Sequence, residues 1–428
     1  RYAYDADRID FVVGAFAFYQ EIRTSGIQET GSAASAWLLN PSSALSRNPA
    51  VLNGIVAEND IRLDNLSLAA FGKVNWHATD KLTISPGIRV NYDKKEGLYN
   101  SVVTGTASDG TRQLVTNDAT HPYYNDPWTT AQRGTQSSQF FEPNFSDWNL
   151  SYDLNISYEL ARDVMAYATY ARSFKTGGIN LNGVPSLVNG LPALDVAQIK
   201  PEKVNHFELG LKTQFWDRRA TFNLTGFWTE IKDFQASVIS NISGSNVLRG
   251  YLANAGKVRV RGVEADFSVR PSDRFSAYAS GAFTDHEFRK FVDAPCPPEL
   301  AGGGTGLPVG PPATPGANSP ANCDVSGQWL PGVSKWAFSW GGEVNQPATV
   351  LGRDGQVYAA YDANYRSKFS SNASRSIYTD VAGYSIHNFR LGFRGDGFDL
   401  FGWVRNAFAK DYFESLAVTP GNTGLISA

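Results

Sequence analysis

The stretch that decides the fold is residues 204–234, VNHFELGLKTQFWDRRATFNLTGFWTEIKDF. Apolar and polar side chains alternate strictly on both sides of its polar centre. Alternation with period two predicts strands that have one apolar and one polar face. The short connector Asp217-Arg218-Arg219 predicts that the two strands form a hairpin. The apolar set is Phe207, Leu209, Leu211, Phe215, Phe222, Leu224 and Trp228, and the polar set includes Glu208, Lys212, Gln214, Asn223 and Thr225.

Such a hairpin fits two all-β folds, a soluble sandwich and a membrane barrel whose polar face lines the lumen. Charged residues make up 18% of the 428-residue chain and aromatic residues 13%. Soluble domains carry about 25% charged residues. The formal net charge of −3 provides no basic field to gather nucleic acid. Composition therefore favours a chain that exposes apolar surface to something other than water.

The pattern of connection lengths separates the two folds. No apolar run approaches the roughly 20 residues of a membrane-spanning helix. The alternating stretches predict about fourteen strands of 11 to 17 residues. Every second connection is short, and those between them are long. A transmembrane barrel has short turns at its periplasmic end and long loops outside, so the sequence predicts an antiparallel transmembrane β-barrel. The predicted short turns are residues 5–8, 79–81, 161–163, 217–219, 271–274, 352–355 and 395–397.

Four stretches resemble the C-terminal part of TonB-dependent outer-membrane receptors. They are YATYARSFKTGGIN (167–180), KPEKVNHFELGLKTQFWDRRATFNLTGFWTEIKDFQ (200–235), RVRGVEADFSVRPSDRFSAYASGAF (259–283) and FRLGFRGDGFDLFGWVRNAFAKDYF (389–413). The resemblance implies a 22-stranded barrel filled by an N-terminal plug. Residues 1–428 are then expected to form one barrel segment, about strands 8–21, with the plug upstream and the last strand absent.

The resemblance also implies a location in the bacterial outer membrane and contact with its lipid. It further implies an active-transport receptor that imports a large scarce extracellular ligand, such as a ferric siderophore. An energy-coupling partner of the TonB type would act through the missing plug. Two alternatives remain open from the sequence: a passive porin, and a structural or adhesive barrel that binds a partner protein with its long loops.

Two groups of residues are candidates for ligand contact. His121, Tyr123, Tyr124 and Trp128 give one long loop an aromatic surface, and such surfaces can hold large apolar or aromatic ligands. Loop packing and interfacial aromatic residues would produce the same pattern. Lys175 and Asn180 flank a Gly-Gly pair and could line the outer vestibule. The competing interpretation is a turn in which glycine lets the backbone leave the sheet.

The only two cysteines, Cys296 and Cys323, lie 27 positions apart in one Pro/Gly-rich loop. An isolated pair on the outer face of an oxidising compartment predicts a disulfide.

The sequence gives no sign of enzymatic chemistry. Glu264 and Asp266 are two positions apart on a polar strand face, which predicts solvated lumen charges rather than a catalytic pair. The five histidines have no metal-ligand spacing, and no nucleotide-binding loop or nucleophile elbow is present. We therefore predict no catalytic residue, no metal site and no cofactor.

The last expectation concerns the edges of the sheet. If only strands 8–21 are present, the first long strand (9–23) and the last (398–412) lack their neighbours in the larger ring. We expect the sheet to stay open, without a ladder of hydrogen bonds between these two strands.

Overall fold

One antiparallel sheet dominates the computed structural model, which describes residues 2–39, 43–185, 191–240, 249–297, 300, 322–418 and 426–427. Its fourteen main strands follow one another in chain order. They are β1 (Tyr2–Tyr4), β2 (Ile9–Glu29), β3 (Val56–His77), β4 (Leu82–Thr106), β5 (Asn144–Ala161), β6 (Val164–Lys175), β7 (Glu202–Phe215), β8 (Ala220–Ser240), β9 (Arg249–Ser272), β10 (Phe275–Lys290), β11 (Trp336–Val350), β12 (Arg353–Arg366), β13 (Tyr384–Gly395) and β14 (Phe398–Val404).

Smaller elements occupy the long connections. Two three-residue strands, Arg112–Leu114 and Gln139–Phe141, extend the sheet beside β4. Two α-helices are present in the described part of the chain, α1 (Ala34–Leu38) and α2 (Pro127–Thr135). Short 3-10 helices and two-stranded pairs fill the rest: Ala44–Arg47, Pro49–Val51, Leu194–Val196, Ile377–Thr379, Gly178–Ile179 with Gln198–Ile199, Ala294–Pro295 with Asn322–Cys323, Phe369–Ser370 with Asp380–Val381, and Ala417–Val418 with Ile426–Ser427.

The strand order confirms the prediction from connection lengths. Because consecutive strands pair antiparallel in chain order, alternate connections lie at opposite ends of the sheet. All seven short turns are therefore at one end, and the long connections are at the other, which we call the outer end. The sheet order is linear, and among the described residues no backbone pairing joins β2 to β14, as expected.

Several strands are longer than predicted, and one is shorter. Strand β2 continues past its predicted end to Glu29, and β8 continues past the 204–234 stretch to Ser240. The prediction that residues 398–412 form one strand is wrong, because β14 ends at Val404. Asn406 has a φ of 48°, which takes the chain out of the extended conformation. The side chain of Asn388 accepts a 3.0 Å hydrogen bond from the backbone of Asn406 at this break.

The register of the β7–β8 hairpin gives the sheet two chemically distinct faces. Phe207 lies opposite Trp228, and Leu211 lies opposite Leu224, so these side chains share one face. Leu209 is 66% exposed on that apolar face. Lys212 lies opposite Asn223 on the other, polar face. The face assignment made from sequence agrees with this register.

The buried cores of the protein lie at the outer end of the sheet. One cluster joins the β2–β3 connection to the β4–β5 connection, and a second lies around Tyr99, Phe141 and Val184. Two others pack Phe288 and Phe291 against Val325, and Phe369 against Val381. The parts of the long connections that the structure describes therefore contain packed cores of their own.

Candidate functional site

The aromatic candidates lie in the connection between β4 and β5, where α2 organises the chain. Asp126 caps this helix by accepting hydrogen bonds from the backbone of Trp128 (3.0 Å) and Thr129 (2.9 Å). Pro127 occupies the first helical position, where a missing N–H costs nothing. The sequence Asp126-Pro127 is thus a helix start, a signal that the sequence analysis missed.

Hydrogen bonds also set the charge state of this connection. Partial burial raises the pKa of Asp126, but hydrogen bonds from Ser108 and Thr129 outweigh burial and hold the pKa below its usual value. Thr111 and Tyr123 donate to Asp109, and the pKa of Asp109 is lowered as well. Both carboxylates therefore stay ionised at neutral pH and act as fixed acceptors within the loop.

Gln132 connects the β4–β5 connection to the β2–β3 connection. Its side-chain amide donates 2.8 Å hydrogen bonds to the carbonyls of Val51 and Thr106, and the residue is 1% exposed. A Cβ at Gly105 would lie 2.3 Å from the Oε1 atom of Gln132, so glycine permits this close approach. The two connections form one unit over the outer end of β2–β5.

Contacts within the loop hold the three aromatic candidates. The guanidinium of Arg133 lies 3.6 Å from the ring centre of Tyr124, within cation–π range. The hydroxyl of Tyr123 donates to Asp109 at 3.1 Å. Trp128 packs against the core that contains Val51 and Val103. Both tyrosines are half-buried, so part of each side chain remains open to a ligand.

The other two candidates, Lys175 and Asn180, lie where β6 leaves the sheet. Lys175 is exposed and pairs with Glu202 at 3.3 Å. Glu202 is buried and accepts a 2.8 Å hydrogen bond from the backbone of Gln235. Gln235 in turn donates to the carbonyls of Thr176 and Lys200. This network fixes the base of the β6–β7 connection.

Asn180 is buried with 8% exposure, and its amide is fully bonded to the backbone. It donates to Val196 at 2.7 Å and to Leu252 at 2.9 Å, and it accepts from Leu252 at 3.3 Å. A Cβ at Gly177 would lie 2.4 Å from the carbonyl oxygen of Ile199. Glycine is therefore required at position 177 for close packing. The residue makes no left-handed turn there.

The structure does not join the two candidate groups. In the part of the chain that is described, no hydrogen bond, ion pair or ring contact links Tyr123, Tyr124 or Trp128 to Lys175 or Asn180. Each group is held by its own contacts, although Phe141 of the β4–β5 connection packs with Val184 of the β6–β7 connection. Their roles in ligand contact stay predictions.

The polar face carries hydrogen-bonded polar side chains below these groups. Tyr167 donates to Glu208 at 2.6 Å and lies 3.1 Å from the hydroxyl of Thr225. Asn223 donates to Asp266 at 2.8 Å, and Asp266 and Glu264 are both exposed. Such a surface suits a hydrated interior.

The predicted disulfide is present. Cys296 and Cys323 are bonded, with their Cα atoms 5.1 Å apart. The backbone of Cys323 pairs with Ala294, beside the core that contains Phe288 and Phe291. The covalent bond therefore fastens the described parts of the β10–β11 connection to one another.

The described residues lack two features. They contain no helix that is both long and apolar enough to cross a membrane. They also contain no group of three histidine, cysteine, aspartate or glutamate side chains arranged to hold a metal ion.

A sheet of long strands, short turns at one end and packed connections at the other defines the class of outer-membrane β-barrel receptors. The family model described as "TonB dependent receptor-like, beta-barrel" matches residues 4–407. The chain belongs to the TonB-dependent receptor family, whose members are transport receptors of the outer membrane.

The match to each individual relative covers only part of that relative's length. The chain is 26% identical over 222 residues to the pesticin receptor of Yersinia pestis, which is 52% of this chain and 26% of that protein. The pesticin receptor of Yersinia enterocolitica matches with the same identity and coverage.

Solved structures share the fold at lower identity. The ferric yersiniabactin uptake receptor of Yersinia pestis has a TM-score of 0.65 and 17% identity, over 99% of this chain and 50% of that one. A copper transporter has a TM-score of 0.55 and 15% identity, over 96% of this chain and 50% of its own. The chain thus spans about half the length of these structures.

Proposed function

We propose that the parent protein is an active-import receptor for a large, scarce extracellular ligand such as a ferric siderophore, energised by a TonB-type protein. The observation that carries this proposal is the segregation of the long connections. They lie at the outer end, and their described residues include packed cores, a disulfide and buried hydrogen bonds. A preformed, structured outer surface suits capture of a ligand, because little ordering is needed on binding.

The proposal includes an orientation and a place in a larger barrel. The apolar face meets outer-membrane lipid, and the polar face with Tyr167 and Glu208 lines the lumen. The fourteen strands correspond to about strands 8–21 of a 22-stranded barrel, with a plug encoded upstream in the parent chain. The coverage of about half of each solved relative supports this placement.

The five candidate residues enter the proposal in two roles. Tyr123, Tyr124 and Lys175 contact the ligand directly, because their side chains keep exposed surface. Trp128 and Asn180 act indirectly, since packing and hydrogen bonds fix them within their connections.

Uptake by the full-length receptor tests this function. The receptor would be expressed in a strain that lacks its own iron-chelate receptors, and cell-associated radioactive iron would be followed with a panel of ferric siderophores. A copper chelate serves as a second cargo class. Uptake of one cargo that disappears in a strain without TonB is the expected result.

Two results would favour the alternatives. Cargo entry that is unchanged without TonB and rises linearly with concentration would identify a passive porin. An absence of uptake for every cargo, together with tight binding of a partner protein to the outer connections, would identify an adhesive barrel.

A further inference from the structure

The β10–β11 and β12–β13 connections contact each other at the outer end of the sheet. The backbone of Gly332 donates to the carbonyl of Ser370 at 2.8 Å, and Arg366 donates to the carbonyl of Gly332 at 2.8 Å. The guanidinium of Arg375, in the second connection, lies 5.3 Å from the ring centre of Trp329 in the first. Polar side chains from both connections are therefore brought together at this contact.

Four side chains around this contact carry polar atoms that have no hydrogen-bond partner among the described residues. These atoms are Nε and Nη1 of Arg375, Nε2 of His286, and the hydroxyl oxygens of Ser334 and Ser374. His286, Ser334 and Ser374 are 1%, 8% and 4% exposed, and the side chain of Arg375 is 12% exposed. Buried polar groups in native proteins are nearly always bonded to protein, ordered water or an ion. This group of unbonded atoms therefore points to an occupant.

The unbonded atoms are able to donate hydrogen bonds. The backbone of Leu330 donates to Nδ1 of His286 at 3.0 Å, so the neutral ring carries its proton on Nε2. The backbone of Val333 lies near this ring, but no hydrogen bond reaches Nε2. Guanidinium nitrogens can only donate, and a serine hydroxyl can rotate to donate. A set of donors without an acceptor fits an anion.

Positive charge is also in excess at this contact. The Nζ atom of Lys335 lies 4.7 Å from the ring centre of Trp329, so Lys335 and Arg375 share one indole ring. No ion pair in the part of the chain that is described includes Lys335. Asp380 lies 3.7 Å from Arg375 and already pairs with Lys368 at 2.8 Å. One carboxylate is thus set against three cations.

The register of the strands places His286 on the polar side of the sheet. His286 lies opposite Val260 on β9, and Val260 lies opposite Thr229 on β8. Thr229 is four positions from Thr225, so alternation places this row on the polar face. The adjacent Asp285 is on the apolar face and pairs with an arginine there at 2.9 Å. In the proposed orientation, a soluble anion rather than a lipid headgroup reaches the polar side.

We propose that a donor cluster, made of His286, Ser334, Lys335, Ser374 and Arg375, binds a small inorganic oxyanion such as phosphate. The bound anion links the β10–β11 connection to the β12–β13 connection by accepting hydrogen bonds from both. Arginine, lysine and hydroxyl groups are the common partners of phosphate oxygens in proteins. Water could accept the same hydrogen bonds, but it would leave the excess positive charge uncompensated. The anion stays with the protein, so the inference does not depend on the identity of the cargo.

Titration calorimetry with inorganic phosphate tests the inference, using the purified full-length receptor in nonionic detergent without cargo. We expect one saturable site in the wild type. Arg375→Gln should weaken binding at least about tenfold, because hydrogen bonds to charged groups are the strong ones. Arg375→Lys keeps the charge but loses the planar fork of donors, so its affinity should be intermediate. Arg274→Gln removes an exposed cation at the short-turn end and should leave binding unchanged.

Limited proteolysis gives a second readout, which reports the link between the two connections. Phosphate should slow cleavage within residues 322–335 and 366–381 of the wild type, and it should have no such effect on Arg375→Gln. Sodium chloride at matched ionic strength should not reproduce the protection, because it screens charge without bridging the donors.

Three results would overturn the inference. They are an absence of saturable phosphate binding by the wild type, equal weakening by Arg375→Gln and Arg274→Gln, and equal protection by chloride and phosphate. If Arg375→Gln does not fold, Ser334→Ala with Ser374→Ala removes two hydroxyl donors and should weaken binding at least about fivefold. The titration contains neither cargo nor TonB, so its failure is distinguishable from a failure of the uptake experiment.

Discussion

The side chain of Gln132 donates a hydrogen bond to the backbone carbonyl of Val51 across 81 residues of sequence. This bond joins two connections that emerge from different hairpins. It is buried, and the same amide nitrogen also reaches the carbonyl of Thr106. The outer surface over β2–β5 is therefore held by a polar contact inside an apolar core.

Replacing Gln132 with alanine should loosen both connections. The buried carbonyl of Val51 and the half-buried carbonyl of Thr106 would lose their donor, and an unsatisfied buried group costs about 1–3 kcal/mol. We expect faster limited proteolysis within residues 43–55 and 107–138, while the sheet remains folded. Gln28→Ala, an exposed glutamine near the end of β2, is the matched control and should have no effect. Equal cleavage of the two variants would contradict the role of Gln132.

Arginine at Leu209 should destabilise the barrel more than arginine at Thr225. Leu209 is on the apolar face, whereas Thr225 contacts Tyr167 on the polar face. A basic residue at the bilayer midplane costs about 2–4 kcal/mol, and lumen positions tolerate charge. Denaturant unfolding of the full-length receptor in lipid vesicles measures the difference. Indistinguishable unfolding free energies would refute the assignment of the faces.

Removing the disulfide with Cys296→Ser and Cys323→Ser should destabilise the β10–β11 connection. Closing a loop with a separation of 27 residues is worth roughly 3.5 kcal/mol in the chain-entropy model. We expect increased protease sensitivity of this connection in the variant and in the reduced wild type alike. Labelling of both thiols in the unreduced protein would show instead that the bond does not form.

Acid should release α2 through Asp126. Its pKa is lower in the folded protein than in the unfolded chain, so it stabilises the fold at neutral pH. That contribution is complete above the unfolded pKa, near 3.9, and is lost as the pH falls through the lower folded value. Hydrogen exchange of α2 should rise in this range.

Asp126→Asn is the matched variant, because asparagine keeps the cap without a titrating group. Its exchange should show no step below about pH 4. A step of the same size in the variant would assign the acid response to another group.

Alanine at Tyr124 should weaken capture of the cargo. The ring of Tyr124 is stacked by Arg133, and loss of an aromatic contact is worth about 1 kcal/mol, or roughly fivefold in affinity. Cell-surface binding of the identified cargo measures the change. Phe140→Ala, which removes a 59% exposed ring from the same connection, is the control. A loss that is as large for Phe140 would assign the effect to general disturbance of the loop.

The barrel architecture was predictable from sequence because its signals are local. Alternation in residues 204–234 and the short turns depend only on neighbours in the chain, and the hairpin register follows from them. The outer ends of the strands were less predictable. Residues 97–106 continue β4, but the two faces of the strand no longer differ in polarity there. The sequence therefore shows no alternation of apolar and polar residues in this part of the strand.

The candidate site was less predictable because tertiary contacts decide it. Asn180 is buried by bonds to Leu252, 72 residues away, which no local pattern reports. The start of α2 at Asp126-Pro127, by contrast, was available as a capping signal.

Two sets of apolar side chains in this protein are shielded from water in different ways: those in the packed cores of the outer connections, and those on the apolar face of the sheet. Val51 and Phe288 are hidden from water by the protein itself, whereas Leu209 is exposed and is covered by hydrocarbon in the proposed orientation. Hydrophobic burial from water weakens on cooling. On cooling, the packed cores of the outer connections should therefore loosen before the strands of the sheet do. A change in growth temperature should then alter cargo recognition without unfolding the barrel.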